Sequence, residues 1–200
     1  MDIRTVKTNR DLKNAYFELA ATMMPSNITV AELCKAALVN KTTFYRHYKD
    51  IAEYADMIEQ EAFDIFLSKF EASDRLLTDP KGFLISLLAH MSEDDHSTLV
   101  FRGKQDSFLG KLANFLSDTY LNEESSQEEI NRITFIIGGL INSLGSFIYT
   151  TDRSDKAQAE FIKNNSEIIN KICGSETEPE EKEPAKQPKR PYFSDKSFWN

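Results

Sequence analysis

Apolar residues recur at three- and four-residue steps along most of this chain, a pattern that predicts helices and no strands. Leu12, Ala15, Tyr16, Leu19, Ala20 and Met23 make one stripe over about residues 8–24, closed by Pro25-Ser26-Asn27. Ile51, Tyr54, Ala55, Ile58, Ala62, Ile65 and Phe66 make a second, running to about Phe70 behind an Asp50 cap with Glu53 three residues on. A helix of some twenty residues spans about 30 Å, long enough to link two parts of a molecule. Pro80 suits a first helical turn, with Phe83, Leu84, Leu87, Leu88 and Met91 inward. Residues 105–120 place Phe108, Leu112, Phe115, Leu116 and Tyr120 on one side. Residues 127–150 are the most apolar: Ile133, Ile136, Ile137, Leu140, Ile141, Leu144, Phe147 and Ile148 cover well over half of that helix. Such a helix needs cover on nearly every side. The following stripe, Phe161, Ile162, Ile168, Ile169 and Ile172, makes a subunit interface the expected cover, two helices from each chain forming a four-helix bundle. Gly138 and Gly145, seven apart on one side, are expected to let a neighbouring helix approach.

The stretch 28–50 has a different pattern, two short helices joined by a tight turn. Thr29 and Glu32 have the spacing of a capping box, and Ile28 and Leu33 that of a hydrophobic staple. Asn40 repeats the cap, and Val39 and Phe44 repeat the staple. Only eleven residues separate the two starts, which is the dimension of a helix-turn-helix. At about 100° per residue, Phe44 and Tyr48 point inward together and Arg46 points away, with Thr42 and Thr43 beside it and Tyr45 and His47 on the flanks. A guanidinium, two hydroxyls, a phenol and an imidazole on one side can read base edges or grip phosphates. Lys41 and Lys49 stand at the two ends, each within reach of a backbone phosphate.

The segments Thr29-Val30-Ala31-Glu32-Leu33 and Val39-Asn40-Lys41-Thr42-Thr43-Phe44-Tyr45-Arg46-His47-Tyr48-Lys49 resemble the DNA-binding domain of TetR/AcrR-type transcriptional regulators. The resemblance covers about residues 5–65; beyond them only helical character and length agree. It implies an all-α fold. A three-helix DNA-binding head (5–65, motif about 29–48) precedes a helical dimerisation and ligand domain (66–173), with a long fourth helix between them. It implies that Lys41, Thr42, Thr43, Tyr45, Arg46 and His47 face double-stranded DNA and that Thr29 and Lys49 contact phosphates. It also implies a homodimer on a palindromic operator, controlled by a small-molecule effector. The chain departs from the family pattern at Leu38, where Gly is usual in the turn, and at Ile51, where a Lys is frequent.

Net charge is −8, which at first argues against a polyanion as partner. Residues 1–50, however, hold eight Lys or Arg against five Asp or Glu, and the remainder sixteen against twenty-seven. A basic end on an acidic body orients a molecule on DNA. Before the first helix, Arg4, Lys7 and Arg10 form a basic arm. Cys34 and Cys173 are far apart and in no paired motif, which fits a reducing cytoplasm, with Cys34 a small buried hydrophobe. No apolar signal run opens the chain, and 133–149 is short and interrupted for a membrane span, so neither export nor a membrane is expected. His90 and His96 with Glu93, Asp94 and Asp95 superficially resemble a metal cluster, but they sit in an expected polar loop. No Gly-x-Ser-x-Gly, phosphate loop, HExxH or paired Cys occurs, so no catalysis and no cofactor are expected. Residues 174–200, rich in Glu, Pro and Lys, read as a disordered tail ending in Pro-Tyr-Phe-Ser-Asp-Lys-Ser-Phe-Trp-Asn. That aromatic end and the acidic body keep a second reading open, a protein-interaction module on the same TetR-like scaffold acting through both.

Overall fold

The computed structural model describes residues 3–93, 95–150, 152 and 154–174, with the side chains of residues 3, 4, 93, 95 and 96 outside that description. The described residues are all-helical: α1 (Ile3–Thr22), a short 3-10 turn (Pro25–Asn27), α2 (Val30–Ala36), α3 (Lys41–His47), α4 (Ile51–Lys69), α5 (Pro80–Glu93), α6 (Asp95–Val100), α7 (Gln105–Tyr120), α8 (Gln127–Tyr149) and α9 (Asp155–Cys173). The tail and its aromatic end, Asp94 and the His96 side chain lie outside the described residues.

α1 begins at Ile3, five residues before the expected start. No Gly or Pro precedes Pro25, so nothing interrupts the helix backwards from Leu12. The backbone of the expected basic arm is therefore wound into α1, and Arg10 pairs with its neighbour Asp11 at 3.0 Å. Helix also replaces most of the expected loop at 92–96. α5 runs through Glu93 and α6 starts at Asp95. His90 turns towards α4, its Nε2 2.8 Å from the Phe66 carbonyl oxygen.

Buried apolar residues form one connected core from Leu12 to Ile169. In its middle Phe63, Phe66, Phe70, Phe83, Phe101 and Phe108 meet edge to face or tilted, save Phe63 and Phe66, which stack, with His90 laid against Phe66 and Phe70. α4 threads through this core. Its first turns touch the amino-terminal helices and its last turns the aromatic cluster, over a length of about 28 Å.

α7 and α9 pack on α8, Phe147 stacking on Phe161 at 4.7 Å. The two expected close-approach glycines differ. A Cβ on Gly145 would lie 3.2 Å from Leu109 Cδ1, whereas one on Gly138 would meet open space. The outer strip of α8 carries Phe135, 70 % exposed, then Gly138, Gly139, Asn142, Ser146 and Tyr149. By length and composition α8 is also the one helix among the described residues that could cross a membrane. Its eight buried residues are turned into the rest of the protein.

The α2–α3 turn departs from ordinary backbone geometry. Leu38 has φ 55°, and its N–H donates to the Lys35 carbonyl while the Val39 N–H donates to that of Cys34. This is a Schellman closure with a leucine in the left-handed position that glycine usually fills. A β-carbon there costs about 1–2 kcal/mol, and Leu38, 94 % exposed, regains almost nothing by burial. Leu38→Gly should therefore stabilise the protein by roughly 0.5–1 kcal/mol after the extra freedom of the unfolded chain is subtracted. That is a rise in Tm of about 1–4 °C by calorimetry; an unchanged or lower Tm would refute the strain.

Candidate nucleic-acid interface

α3 is seven residues long, too short to hold its own shape in water. Its start is fixed by Asn40, whose Oδ1 accepts the Thr42 N–H at 2.8 Å. Its back is fixed by rings. Phe44, fully buried, lies 5.4 Å from Tyr48 and 5.7 Å from Tyr54; Tyr48 meets Tyr54 edge-on at 4.8 Å, and Tyr54 meets Tyr16 of α1 at 5.9 Å. α2 completes the support with Leu33 and Cys34 buried. Burial pushes the Cys34 thiol up and the Lys41 charge partly offsets this, as befits a buried small apolar group.

The opposite side of α3 is open. Lys41, Thr42, Tyr45, Arg46 and His47 are exposed, as is Lys49 just beyond; Thr43 is half-buried at the edge of the face. Among the described residues, Lys41, Arg46 and Lys49 enter no ion pair. The seventeen residues 33–49 contain Lys35, Lys41, Arg46 and Lys49 and no carboxylate. Lys35, also exposed, extends the basic surface onto α2; counting charge over this window, rather than over the whole first quarter, would have singled it out.

Both margins of the surface are acidic. Thr29 accepts the Glu32 N–H and donates its hydroxyl proton to the Glu32 carboxylate at 2.7 Å. The Thr29 hydroxyl and the Thr29 N–H, both donating to it, hold the Glu32 carboxyl below the usual carboxylate range. In this state the Thr29 hydroxyl proton is already engaged, beside an anion. At the other margin Asp50 accepts the Glu53 N–H, and Glu53 accepts the N–H of Lys49. Ile51, half-buried, offers no cation there. The cations free of a described carboxylate thus lie between the two margins, on the lysines and the arginine. Comparisons of the chain with protein-family models, curated proteins and solved structures give no match.

The ring cluster has a titratable cost. Among the described residues, the buried Tyr16 and Tyr54 hydroxyls have no hydrogen-bond partner. Burial, with help from the Glu59 carboxylate, pushes the Tyr16 phenol up to about 12, and burial also raises that of Tyr54. Below about pH 10 the Tyr16 phenol keeps its proton in both folded and unfolded chains, and stability does not depend on it. Between about pH 10 and about 12 only the unfolded chain releases it, so stability falls as pH rises. Denaturant melts across that range should show a decline that Tyr16→Phe makes shallower by one proton. An equal slope in the variant would remove Tyr16 from the account.

Proposed function

We propose that the chain is a sequence-specific DNA-binding transcriptional regulator of the TetR/AcrR type, acting as a homodimer and most simply as a repressor. The observation that carries this reading is the open face of α3. Its guanidinium, hydroxyls, phenol and imidazole project from a short helix whose back is locked into an aromatic core, with cations that no described carboxylate engages. Such a helix fits the major groove, where Arg46 reads a base edge and Lys41 and Lys49 grip phosphates. Two-fold pairing of two heads requires a palindromic site with half-sites about one helical turn, or a multiple, apart. The strip Phe135, Gly139, Asn142, Ser146 and Tyr149 on α8 supports a second copy as its cover, small residues in the middle letting two helices approach. A small molecule in the body controls operator binding by preferring one spacing of the heads.

Selection of bound fragments from a random duplex pool tests this directly. The expected product is a family of palindromic sites with one fixed spacing; a pool that stays random contradicts the reading. On a selected site, Arg46→Ala should lower discrimination at one base pair by about 1–3 kcal/mol. Lys49→Ala should weaken all sequences alike and flatten the salt dependence. If Arg46→Ala leaves base preference unchanged in a gel-shift series, α3 does not enter the groove this way.

A further inference from the structure

α4 is the covalent rod between the amino-terminal helices and the body, and a single rod leaves the head free to swivel about it. The body also grips α1, the helix that faces α4 across the head. Arg102, between α6 and α7, donates through Nη2 to the carbonyl oxygens of Ala20, at 2.6 Å, and of Met23. These lie at the end of α1, where a cation is favoured by both the unmet carbonyls and the helix dipole. The next residue, Gly103, has φ 72°, and a Cβ there would sit 2.4 Å from the Met24 Cε. The Met24 side chain thus occupies the space that a side chain at 103 would take, and the positive φ favours glycine there. Lys104 then reaches α4: its Nζ lies 2.5 Å from Glu59 Oε1, and Ser107 donates to Glu59 Oε2 at 2.6 Å. Glu59 is only 3 % exposed. A carboxylate buried to that degree is costly to leave unpaired, which ties the α6–α7 loop to α4 through these two contacts. Among the described residues the buried Arg102 Nε–H has no partner, a cost that the docked state carries.

We propose that Arg102, Gly103 and the Lys104–Glu59 pair form a latch that locks the head to the body and thereby sets the distance between the two heads of a dimer. Its DNA consequence rests on the regulator reading. The latch makes Arg102 a positioning residue for operator binding although it lies outside the basic face. A change in the body that moved the α6–α7 loop would release α1 and let the head turn about α4, with no contact to α3.

Two readouts test the latch, in the full chain. The first needs no DNA. Spin labels on Ala21→Cys and Asn114→Cys, in a Cys34→Ala, Cys173→Ser background, report the separation of α1 and α7. One narrow distance is expected, broadened by Arg102→Gln and by Glu59→Gln. The second uses duplexes whose selected half-sites are moved apart one base pair at a time. The unaltered protein should lose about tenfold or more in affinity at the wrong spacing, and both variants should lose most of that preference while binding a single half-site as before. If Arg102→Gln does not fold, Glu59→Gln decides by the same readouts. A distance that stays narrow in the folded variants, or a spacing preference that survives a broadened distance, overturns the latch. A broadened distance in a protein that selects no duplex keeps the latch and removes the DNA reading.

Discussion

The contact on which the rest depends is the meeting of Phe44 and Tyr48 with Tyr54 and Tyr16. Two turns of helix carry little stability of their own, so α3 keeps its shape because three other segments hold its back. A buried phenylalanine contributes about 2–3 kcal/mol, and edge-to-face ring pairs add about 0.5–1.5 kcal/mol each. Against this stand two phenol hydroxyls without partners among the described residues, each costing about 1–3 kcal/mol. Ring area outweighs them because the cluster joins α1, α3 and α4 at one point. The same fixation that buries Phe44 turns Arg46 to solvent, since neighbours two apart on a helix lie on opposite sides.

Electrostatics then limit where a polyanion can bind. An acidic chain can dock DNA only through a surface from which carboxylates are excluded. Residues 33–49 make that surface, and Glu32 and Glu53 border it. These two acids are also capping residues, Glu32 bonded to Thr29 and Glu53 to the Lys49 N–H. Carboxylates are favoured in the first turn of a helix, and here the starts of α2 and α4 bound the basic face. Under the proposed reading, docking therefore rests on a narrow strip of α3 rather than on a broad basic field.

Much of this architecture is legible in the chain because it is local. Capping spacings at Thr29 and Asn40 and the stripes of α4, α5, α7 and α8 lie within a few residues, and each element formed where periodicity put it. Local signals misjudged two boundaries. The first stripe suggested a start near residue 8, which sits inside α1, and the polar run at 92–96 resembles a loop but is mostly helical, because polar residues are compatible with helix. Leu38 was visible only as a departure from a pattern; its left-handed φ follows from the closure of α2, which no side chain announces. Arg102 had no signal at all. Its partners are carbonyls about eighty residues away, and a backbone oxygen has no identity in a sequence. The α3 donors were legible as a set, whereas the engagement of the Thr29 hydroxyl by Glu32 required coordinates.

The central claim is that the open face of α3, backed by the aromatic cluster, is the surface that meets a duplex. Amide hydrogen exchange of the full chain, with and without a saturating selected duplex, tests it most directly. The account predicts new protection confined to the start of α2, α3 and the Lys49–Glu53 junction. Protection confined to α5–α9, with residues 29–53 exchanging as in the free protein, would contradict it.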